Sequence, residues 1–404
     1  MSQTPEVTTR KAASDSRFDE GALRLLMELL SLPGVSGEEQ AVSNHVVERL
    51  LEAGLPQNSV TVDHANRKGL PGGQTGNLIV KLPGTIKAPR RLLMAHLDTV
   101  PLCVGAKPVI SADQVISRNP RTALGGDNRA GCAVVLNTAL RIHRDKLPHP
   151  PLTLLWTVQE EVGLLGARHV STSKLGQPKL CFNWDGGPPN AIVLGATGGA
   201  HLEIEVHGQA SHAGAHPEDG VSAVAIAGLA ISDLQQNGWH GRIIKGKQQG
   251  TSNIGLVHGG AATNVVTDEV VLHAEARSHN PRFRQRIVEA YETAFHKAAR
   301  SVTNVSGKAG RADVTVIPKY ESFRLPKTDP SYHKAKEAIE AEGLPVITRV
   351  VDGGLDANWL TAHGFPTVTL GCGQAGIHTV EETLLIPDFL QACRIALRLA
   401  IETD

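Results

Sequence analysis

A histidine and an aspartate stand two residues apart at the end of a short apolar run. The run is Leu92–Ala95, and the pair is His96 and Asp98. Residues i and i+2 of a strand share one face, so the imidazole and the carboxylate are expected to point the same way. Such runs are typical of buried strands in parallel sheets, which bind ligands at their carboxyl ends. The pair lies where a site would form, although one His-x-Asp pair is common in proteins.

Later segments of the chain also end in, or lead into, acidic residues. They supply Asp127 in the glycine-rich turn 125–131, Glu160 and Glu161 after the predicted strand 152–158, and Asp185 after the predicted strand 180–184. Each has an ordinary explanation, as a helix N-cap, as partners of a helix dipole, or as a turn residue. It is improbable that all of these ordinary explanations hold at once. The pattern therefore favours one site to which all of these residues contribute.

The residue types in these segments, histidines and carboxylates without cysteines, suit zinc, with manganese or cobalt as alternatives. One ion needs three or four ligands, and the chain supplies more. A carboxylate bridging two ions about 3.5 to 4 Å apart uses the surplus, and a water between such ions falls in pKa from about 15.7 toward about 7. A carboxylate that binds no metal can then move that proton to a leaving amine. The adjacent Glu160 and Glu161 can divide these tasks.

The composition excludes several classes of function. Lys+Arg and Asp+Glu both number 40, and aromatic residues make up 3%, which argues against a nucleic-acid or membrane partner. With 404 residues, 41% of them hydrophobic, two or more globular domains are expected. No apolar run approaches about 18 residues and the first residues are polar, which predicts a cytoplasmic protein without a membrane span. The five scattered cysteines are expected to be free thiols.

The periodicity predicts an α/β fold with a mixed, mostly parallel sheet flanked by helices. Residues 1–17 are expected to be disordered, and Ser36 with Glu39 matches a capping box that opens a helix. From 201 to 207 apolar and polar residues alternate, which indicates a half-exposed antiparallel strand. The helix that follows is predicted to bury one face, formed by Val224, Ala227, Ile231 and Leu234.

The element order β-α-β-β-α-β from this point indicates an inserted α+β, ferredoxin-like domain. We therefore predict a catalytic domain formed by residues 1–198 and 322–404, and an inserted lid or dimerisation domain at 199–321. One motif within the catalytic part, Gly371–Gly376, matches the G-x-G-x-x-G of dinucleotide sites. A true fingerprint opens a helix at once, whereas the next predicted helix follows Pro387, so a nicotinamide cofactor is rejected.

Taken together, the motifs resemble the di-zinc peptidase family that includes aminoacylase, glutamate-releasing carboxypeptidases, dipeptidases and peptidase T, and they are most similar to the peptidase T-like branch. The resemblance covers nearly the whole chain from about residue 20. It implies two zinc ions per chain, with metal ligands His96, Asp127, Glu161, Asp185 and His378. His96 and Asp185 are assigned to one ion, Glu161 and His378 to the other, and Asp127 to both.

The same resemblance assigns the catalytic roles. It implies that Glu160 is the general base, that Asp98 orients His96, and that the peptide bond after Asp127 is cis. In the inserted domain Ser211-His212-Ala213 is similar to the family's histidine motif, whose imidazole reaches the substrate carbonyl of the neighbouring subunit. This stretch and the open sheet edge of the inserted domain predict a homodimer.

Three further positions match residues that hold the substrate: Asn264, Arg277 and Gly354. Arg277 has an alternative interpretation, as part of a solvated strand face shared with His273 and Glu275. The stretch Gly353-Gly354-Leu355-Asp356 departs from the Gly-Gly-Ser/Thr-Asp of many relatives, which leaves the choice of substrate open. The histidines without partner spacing are expected to be surface or packing residues: His143, His149, His169, His240, His279 and His363.

The leading functional hypothesis is a metal-dependent aminopeptidase that acts on di- and tripeptides. The alternative within the class is an N-acyl or N-carbamoyl amino acid amidohydrolase, or a glutamate-type carboxypeptidase. A hypothesis from another class is an inactive relative that only binds peptides or dimerises. An inactive relative is free to lose its ligands, yet all seven metal-site and catalytic positions of the predicted catalytic domain are acids or histidines.

Overall fold

The computed structural model describes residues 19–401, which divide into two compact units. The first unit runs to Gly195, takes in Arg324–Val350 and resumes at Leu355, and the second consists of Ala196–Phe323 and Val351–Gly354. The second unit contains the whole segment 199–321, whose role as a lid or dimerisation domain remains a prediction. Residues 1–17, which were expected to be disordered, lie outside the described residues.

The helices follow in chain order. They are α1 (19–30), α2 (Gln40–Glu52), α3 (Gly126–Asp145), α4 (Leu165–Arg168), α5 (Ala223–Gln236), α6 (Pro281–Ser301), α7 (Pro330–Ala341), α8 (Asp356–Ala362) and α9 (Ile386–Ala400). Short 3-10 turns are present at Gln57–Ser59, Ala65–Lys68, Pro101–Cys103, Thr172–Lys174 and Pro217–Asp219. None of the helices in residues 19–401 combines the length and the apolar character that a membrane crossing requires.

The strands form three sheets. They are β1 (Val60–Val62), β2 (Leu78–Leu82), β3 (Arg91–His96), β4 (Pro108–Ser111), β5 (Gln114–Ser117), β6 (Leu152–Thr157), β7 (Leu180–Trp184), β8 (Ala191–Ala196), β9 (Gly198–His207), β10 (Gly241–Lys245), β11 (Gln248–Gly259), β12 (Glu269–Ser278), β13 (Arg311–Tyr320), β14 (Phe323–Arg324), β15 (Ile347–Val351), β16 (Thr367–Leu370), β17 (Gln374–Ala375) and β18 (Thr383–Leu385).

The central sheet has the strand order β1-β2-β6-β3-β7-β16-β8-β14, with β15 paired to β8. Its middle strands β6, β3, β7 and β16 run parallel to one another, whereas β1, β2 and β8 pair antiparallel. Every residue of β3 and β6 is buried, as expected for strands that are covered on both faces. The predicted α/β fold with a mostly parallel sheet is confirmed.

The second unit is built on an antiparallel sheet with the order β10-β11-β12-β9-β13. Along β9 the alternating residues Leu202, Ile204 and Val206 are buried, and they form one core with residues of α5 and α6. The predicted alternation is confirmed, but the predicted face of α5 is partly wrong. Val224 is 54% exposed, and the buried residues of α5 are Ala223, Ile226, Ala227, Ala230 and Leu234. Ala227 and Leu234 are buried as predicted and Ile231 packs against the core, whereas Ala223 takes the place predicted for Val224.

The predicted capping box at the start of α2 is wrong. Glu39 occupies the N-cap position, and no side chain caps the helix there. Ser36 instead donates a hydrogen bond to Asp98 Oδ2 at 2.6 Å, and Glu39 is fully buried. Both side chains therefore contact residues that follow strands of the central sheet, Asp98 and Gln159, instead of forming the reciprocal bonds of a capping box.

Candidate active site

The carboxyl ends of neighbouring parallel strands bring the predicted acids and His96 together. His96 ends β3, in register with Thr157 at the end of β6, and Glu160 and Glu161 follow β6 after two intervening residues. Asp185 follows β7 and donates its backbone N–H to Leu370 O on β16 at 2.9 Å. Parallel strands end at one edge of a sheet, so residues far apart in sequence converge there.

The ligand atoms fall into two groups that share Asp127. His96 Nε2 lies 3.2 Å from Asp127 Oδ1 and 3.9 Å from Asp185 Oδ1. His378 Nε2 lies 3.3 Å from Asp127 Oδ2 and 3.1 Å from Glu161 Oε2. Each group, His96–Asp127–Asp185 and Asp127–Glu161–His378, keeps its ligand atoms within 4.8 Å of one another. The two oxygens of one carboxylate thus face two different ligand sets, which is the arrangement of a bridging ligand.

The electrostatics of the site fit cations. Burial raises the pKa of Glu160 and of Asp185 well above their ordinary values, and it raises the pKa of Asp356 to about 7. Hydrogen bonds to Asp127 and Glu161 raise the pKa of His378 to about 10. Within residues 19–401 the buried Asp127 Oδ1 accepts no well-aligned hydrogen bond. Crowded buried carboxylates of this kind need positive charge beside them, and divalent ions supply it.

Asp98 contacts His96 as the sequence predicts. His96 Nδ1 lies 3.1 Å from the backbone O of Asp98 and 3.4 Å from its Oδ1. A hydrogen bond at Nδ1 leaves Nε2, the nitrogen that faces Asp127 and Asp185, available to a metal. Hydrogen bonds with His96 help to keep the pKa of Asp98 below its ordinary value, although its complete burial opposes this. The role of Asp98 as an orienting residue stays a prediction with a suitable geometry.

The turn that carries Asp127 is held by residues that the sequence analysis missed. Glu382 is buried and accepts hydrogen bonds from the backbone N–H groups of Gly125, at 2.7 Å, and Asp127, at 2.9 Å. Gln374 Nε2 donates to Gly126 O at 2.9 Å. The peptide bond between Asp127 and Asn128 is cis, as the resemblance implied.

His212 and Asn264 belong to the second unit and are neighbours within it. Ala213 N–H donates to Asn264 O at 2.9 Å. The backbone N–H groups of Gly214 and Ala215 each donate to His212 Nδ1, both at 3.1 Å. Because Nδ1 accepts these bonds, the neutral ring carries its proton on Nε2. The exposed imidazole is therefore prepared as a hydrogen-bond donor.

Arg277 and Gly354 also lie in the second unit. Arg277 forms a two-pronged ion pair with Glu275 at 2.9 and 2.8 Å, and it lines a cavity of ≈ 320 Å³ together with Arg242, Thr251 and Ser278. The pairing with Glu275 fits a solvated strand face and the cavity fits a substrate site, so both interpretations of Arg277 stay open. A Cβ on Gly354 would lie 2.5 Å from Tyr320 Cζ, so a larger residue at this position would force the Tyr320 ring to move.

Comparison with known proteins identifies the family. Residues 92–402 match the profile of Peptidase family M20/M25/M40. The chain belongs to this family. YqjE of Bacillus subtilis (strain 168) is 32% identical to it over 382 residues, which cover 94% of this chain and 98% of YqjE.

Two solved structures show the same architecture at appreciable identity. A tripeptidase from Staphylococcus aureus is 30% identical, with a TM-score of 0.84 and coverage of 95% of this chain and 97% of the tripeptidase. Aminopeptidase PepT from Bacillus cereus is 30% identical, with a TM-score of 0.80 and coverage of 95% and 98%. The prediction that the chain belongs to this metallopeptidase family, with greatest similarity to peptidase T-like members, is confirmed. The chain is a hydrolase of that family.

Membership of the M20 peptidases does not by itself assign the remaining polar residues. The motif Gly371–Gly376 does not open a helix, because it contains the two-residue strand β17 and leads to β18. Its Gln374 supports the turn of Asp127. His149 is buried and pairs with Pro150 O at 2.8 Å, as expected for a packing histidine. Another group of possible ligands, Glu205, His207 and Asp313, lies in the second unit, where Arg311 already pairs with Asp313 at 2.8 Å.

Proposed function

We propose that this M20 peptidase removes the N-terminal residue from di- and tripeptides by metal-dependent hydrolysis. The observation that carries the proposal is the position of Asp127, whose two oxygens lie 3.2 Å from His96 Nε2 and 3.3 Å from His378 Nε2. Short peptides are the favoured substrates because the tripeptidase and PepT are each 30% identical to this chain over nearly all its length.

The proposed metal sites divide the ligands as the family resemblance implies. His96 and Asp185 would hold one ion, Glu161 and His378 would hold the other, and Asp127 would contribute to both. Zinc suits this set of nitrogen and oxygen donors, and manganese or cobalt can replace it. When bound, such a pair of ions polarises the substrate carbonyl and acidifies the attacking water.

Glu160 is the proposed general base. It is buried, and although its carboxylate also lies within 4.8 Å of ligand atoms of His96 and Glu161, it belongs to neither of the two groups that share Asp127. Its carboxylate takes a proton from the water while the water oxygen attacks the carbonyl carbon. The same carboxyl group then gives the proton to the amine nitrogen as the carbon–nitrogen bond breaks. The second proton of the water stays on the new carboxyl group and passes to the amine as the products ionise, so the balance closes with a carboxylate and an ammonium group.

His212, Asn264, Arg277 and Gly354 are proposed to act on the substrate from the second unit. The Nε2–H of His212 suits donation to the substrate carbonyl oxygen, because Nδ1 is already occupied by two backbone N–H groups. The planar guanidinium of Arg277 suits the terminal carboxylate of a peptide, provided that the substrate displaces Glu275.

A homodimer through the second unit is part of the proposal. In the described residues β10 covers only Gln248–Ser252 of β11, and no strand pairs with the same side of residues 253–259. Leu256 and Val257 on this edge, and Leu229 on α5, are more than half exposed. A free strand edge beside apolar side chains favours pairing with a second copy.

Product analysis tests the proposed activity. With Leu-Gly-Gly as substrate, mass spectrometry should find Leu and Gly-Gly, and N-acetyl-Leu-Gly-Gly should resist. Glu160→Ala should lower kcat by about 10² to 10⁴ with the metal content unchanged. Leu-Gly and Gly as products would support the carboxypeptidase alternative, and cleavage of N-acetyl- or N-carbamoyl-leucine alone would support the amidohydrolase.

A further inference from the structure

Consecutive backbone N–H groups after β6 donate to side-chain oxygens of distant residues. The bonds are Val158 N to Asn77 Oδ1 (3.1 Å), Gln159 N to Glu39 Oε1 (3.0 Å), Glu160 N to Asp98 Oδ1 (3.0 Å) and Glu161 N to Asp98 Oδ2 (3.1 Å). Side chains therefore fix the backbone of the segment from which Glu160 and Glu161 project.

The conformation of this segment depends on such support. Gln159 has a positive φ of 55°, which is unfavourable for a residue with a side chain. A residue in that region persists when its surroundings over-determine it, at a cost of about 1 to 3 kcal/mol. The Gln159 side chain is fully buried, and its Oε1 accepts from Leu70 N–H at 2.8 Å. The turn is thus held through both its side chain and its amides.

Glu39 is the member of this set that lies farthest from Gln159 in sequence, at a separation of 120 residues. Its side chain is fully buried, and Oε1 also accepts from Gly37 N–H at 2.8 Å. Three residues earlier, Ser36 Oγ donates to Asp98 Oδ2 at 2.6 Å. The short segment before α2 thereby supports both the amide of Gln159 and the carboxylate that holds the next two amides.

We propose that Glu39 is a positioning residue, which fixes the amide of Gln159 and through it the direction of the Glu160 side chain. The proposal rests on the assignment of Glu160 as general base. Only Oε1 accepts the hydrogen bond from the Gln159 N–H. The role therefore needs an acceptor oxygen at the correct distance from the backbone, and it does not depend on a negative charge. Misplacement of a catalytic group by about 1 Å can cost about 10²-fold in rate.

Two conservative variants separate reach from charge. Glu39→Gln keeps an oxygen at the same distance and removes the charge, whereas Glu39→Asp keeps the charge and shortens the side chain by one methylene. With Leu-Gly-Gly as substrate, we expect kcat of Glu39→Gln to stay within about 3-fold of wild type and kcat of Glu39→Asp to fall by about 10- to 100-fold. KM and the metal content should stay within about 2-fold in both.

Controls distinguish positioning from a general loss of stability. Leu50→Ala, on the same helix and fully buried, should lower the melting temperature without changing kcat. Combining Glu39→Asp with Glu160→Ala should lower kcat no further than Glu160→Ala alone, because both changes act through one group. Hydrogen exchange by mass spectrometry should show faster exchange at residues 158–161 in Glu39→Asp and wild-type exchange in Glu39→Gln.

The proposal is overturned if Glu39→Asp keeps the wild-type kcat, if Glu39→Gln loses as much as Glu39→Asp, or if the double variant is additive. These outcomes differ from a failure of the proposed function, in which wild type leaves Leu-Gly-Gly intact or Glu160→Ala keeps its kcat. In that case hydrogen exchange at residues 158–161 still decides whether Glu39 fixes the turn.

Discussion

Glu382 offers the sharpest test of how the fold holds the bridging carboxylate. Its two oxygens accept from Gly125 N–H at 2.7 Å and Asp127 N–H at 2.9 Å, and its side chain is buried. Glu382→Gln replaces one acceptor by an amide that donates, so one buried N–H loses its partner. An unsatisfied buried donor costs about 1 to 3 kcal/mol. Because about 1 kcal/mol shifts the Tm of a domain of 150–250 residues by about 2 to 4 °C, we expect a decrease of about 2 to 12 °C.

The same change should weaken metal binding, because Asp127 is displaced relative to both histidines. Loss of an outer partner of a metal ligand typically lowers affinity by about 10- to 100-fold. Scanning calorimetry of the metal-free protein measures the Tm, and competition with a chromophoric chelator measures the metal affinity. Glu381→Gln is the matched control, because the side chain of the neighbouring Glu381 is exposed. This change should alter neither the Tm nor the metal affinity. Wild-type Tm and affinity in Glu382→Gln would refute the reasoning.

Three further predictions follow from the site. Elemental analysis should find two divalent ions per chain in wild type, one in Glu161→Ala, and two in the control His207→Ala. Full turnover by metal-stripped protein would contradict the metal site. Amidating the C-terminus of a good peptide should raise KM sharply in wild type and little in Arg277→Ala, and an equal rise in both would remove Arg277 from carboxylate binding. Co-refolding inactive His212→Ala with inactive Glu160→Ala should restore about a quarter of wild-type activity, because half the dimers are mixed and each has one complete site. No rescue in a sample that native mass spectrometry shows to contain mixed dimers would exclude the exchange of His212.

Much of the site was readable from the sequence because its residues follow apolar runs. His96 ends a buried strand, Asp185 directly follows another, and Glu160 and Glu161 follow a third within a few residues. The carboxyl ends of parallel strands meet, so proximity could be inferred without coordinates. His378 has no such signal, because it lies in the loop between β17 and β18 with a φ of 63°, and the family resemblance alone identified it.

Residues whose partners are remote were missed or misread. Ser36 and Glu39 have the spacing of a capping box, which is a local signature, but their hydrogen bonds go to Asp98 and Gln159, 62 and 120 residues away. Glu382 gave no signal, because an acid near the end of a loop is ordinary. On α5, the apolar Val224 was assigned to the core by spacing, yet a helix with apolar residues on two faces does not reveal which face meets the sheet. The cytoplasmic location and the absence of a nucleic-acid partner stay predictions.

The membership of Val351–Gly354 in the second unit limits how this protein can be recombined with its relatives. The chain enters that unit twice, and Tyr320 of the long segment packs where a Cβ on Gly354 would stand, 2.5 Å from its ring carbon Cζ. A chimaera with crossovers at 196 and 323 would pair one parent's Tyr320 with the other parent's loop. A parent with any larger residue at position 354 would displace the ring of that tyrosine. Functional chimaeras should therefore inherit positions 320 and 354 from the same parent, although 34 residues of sequence separate them.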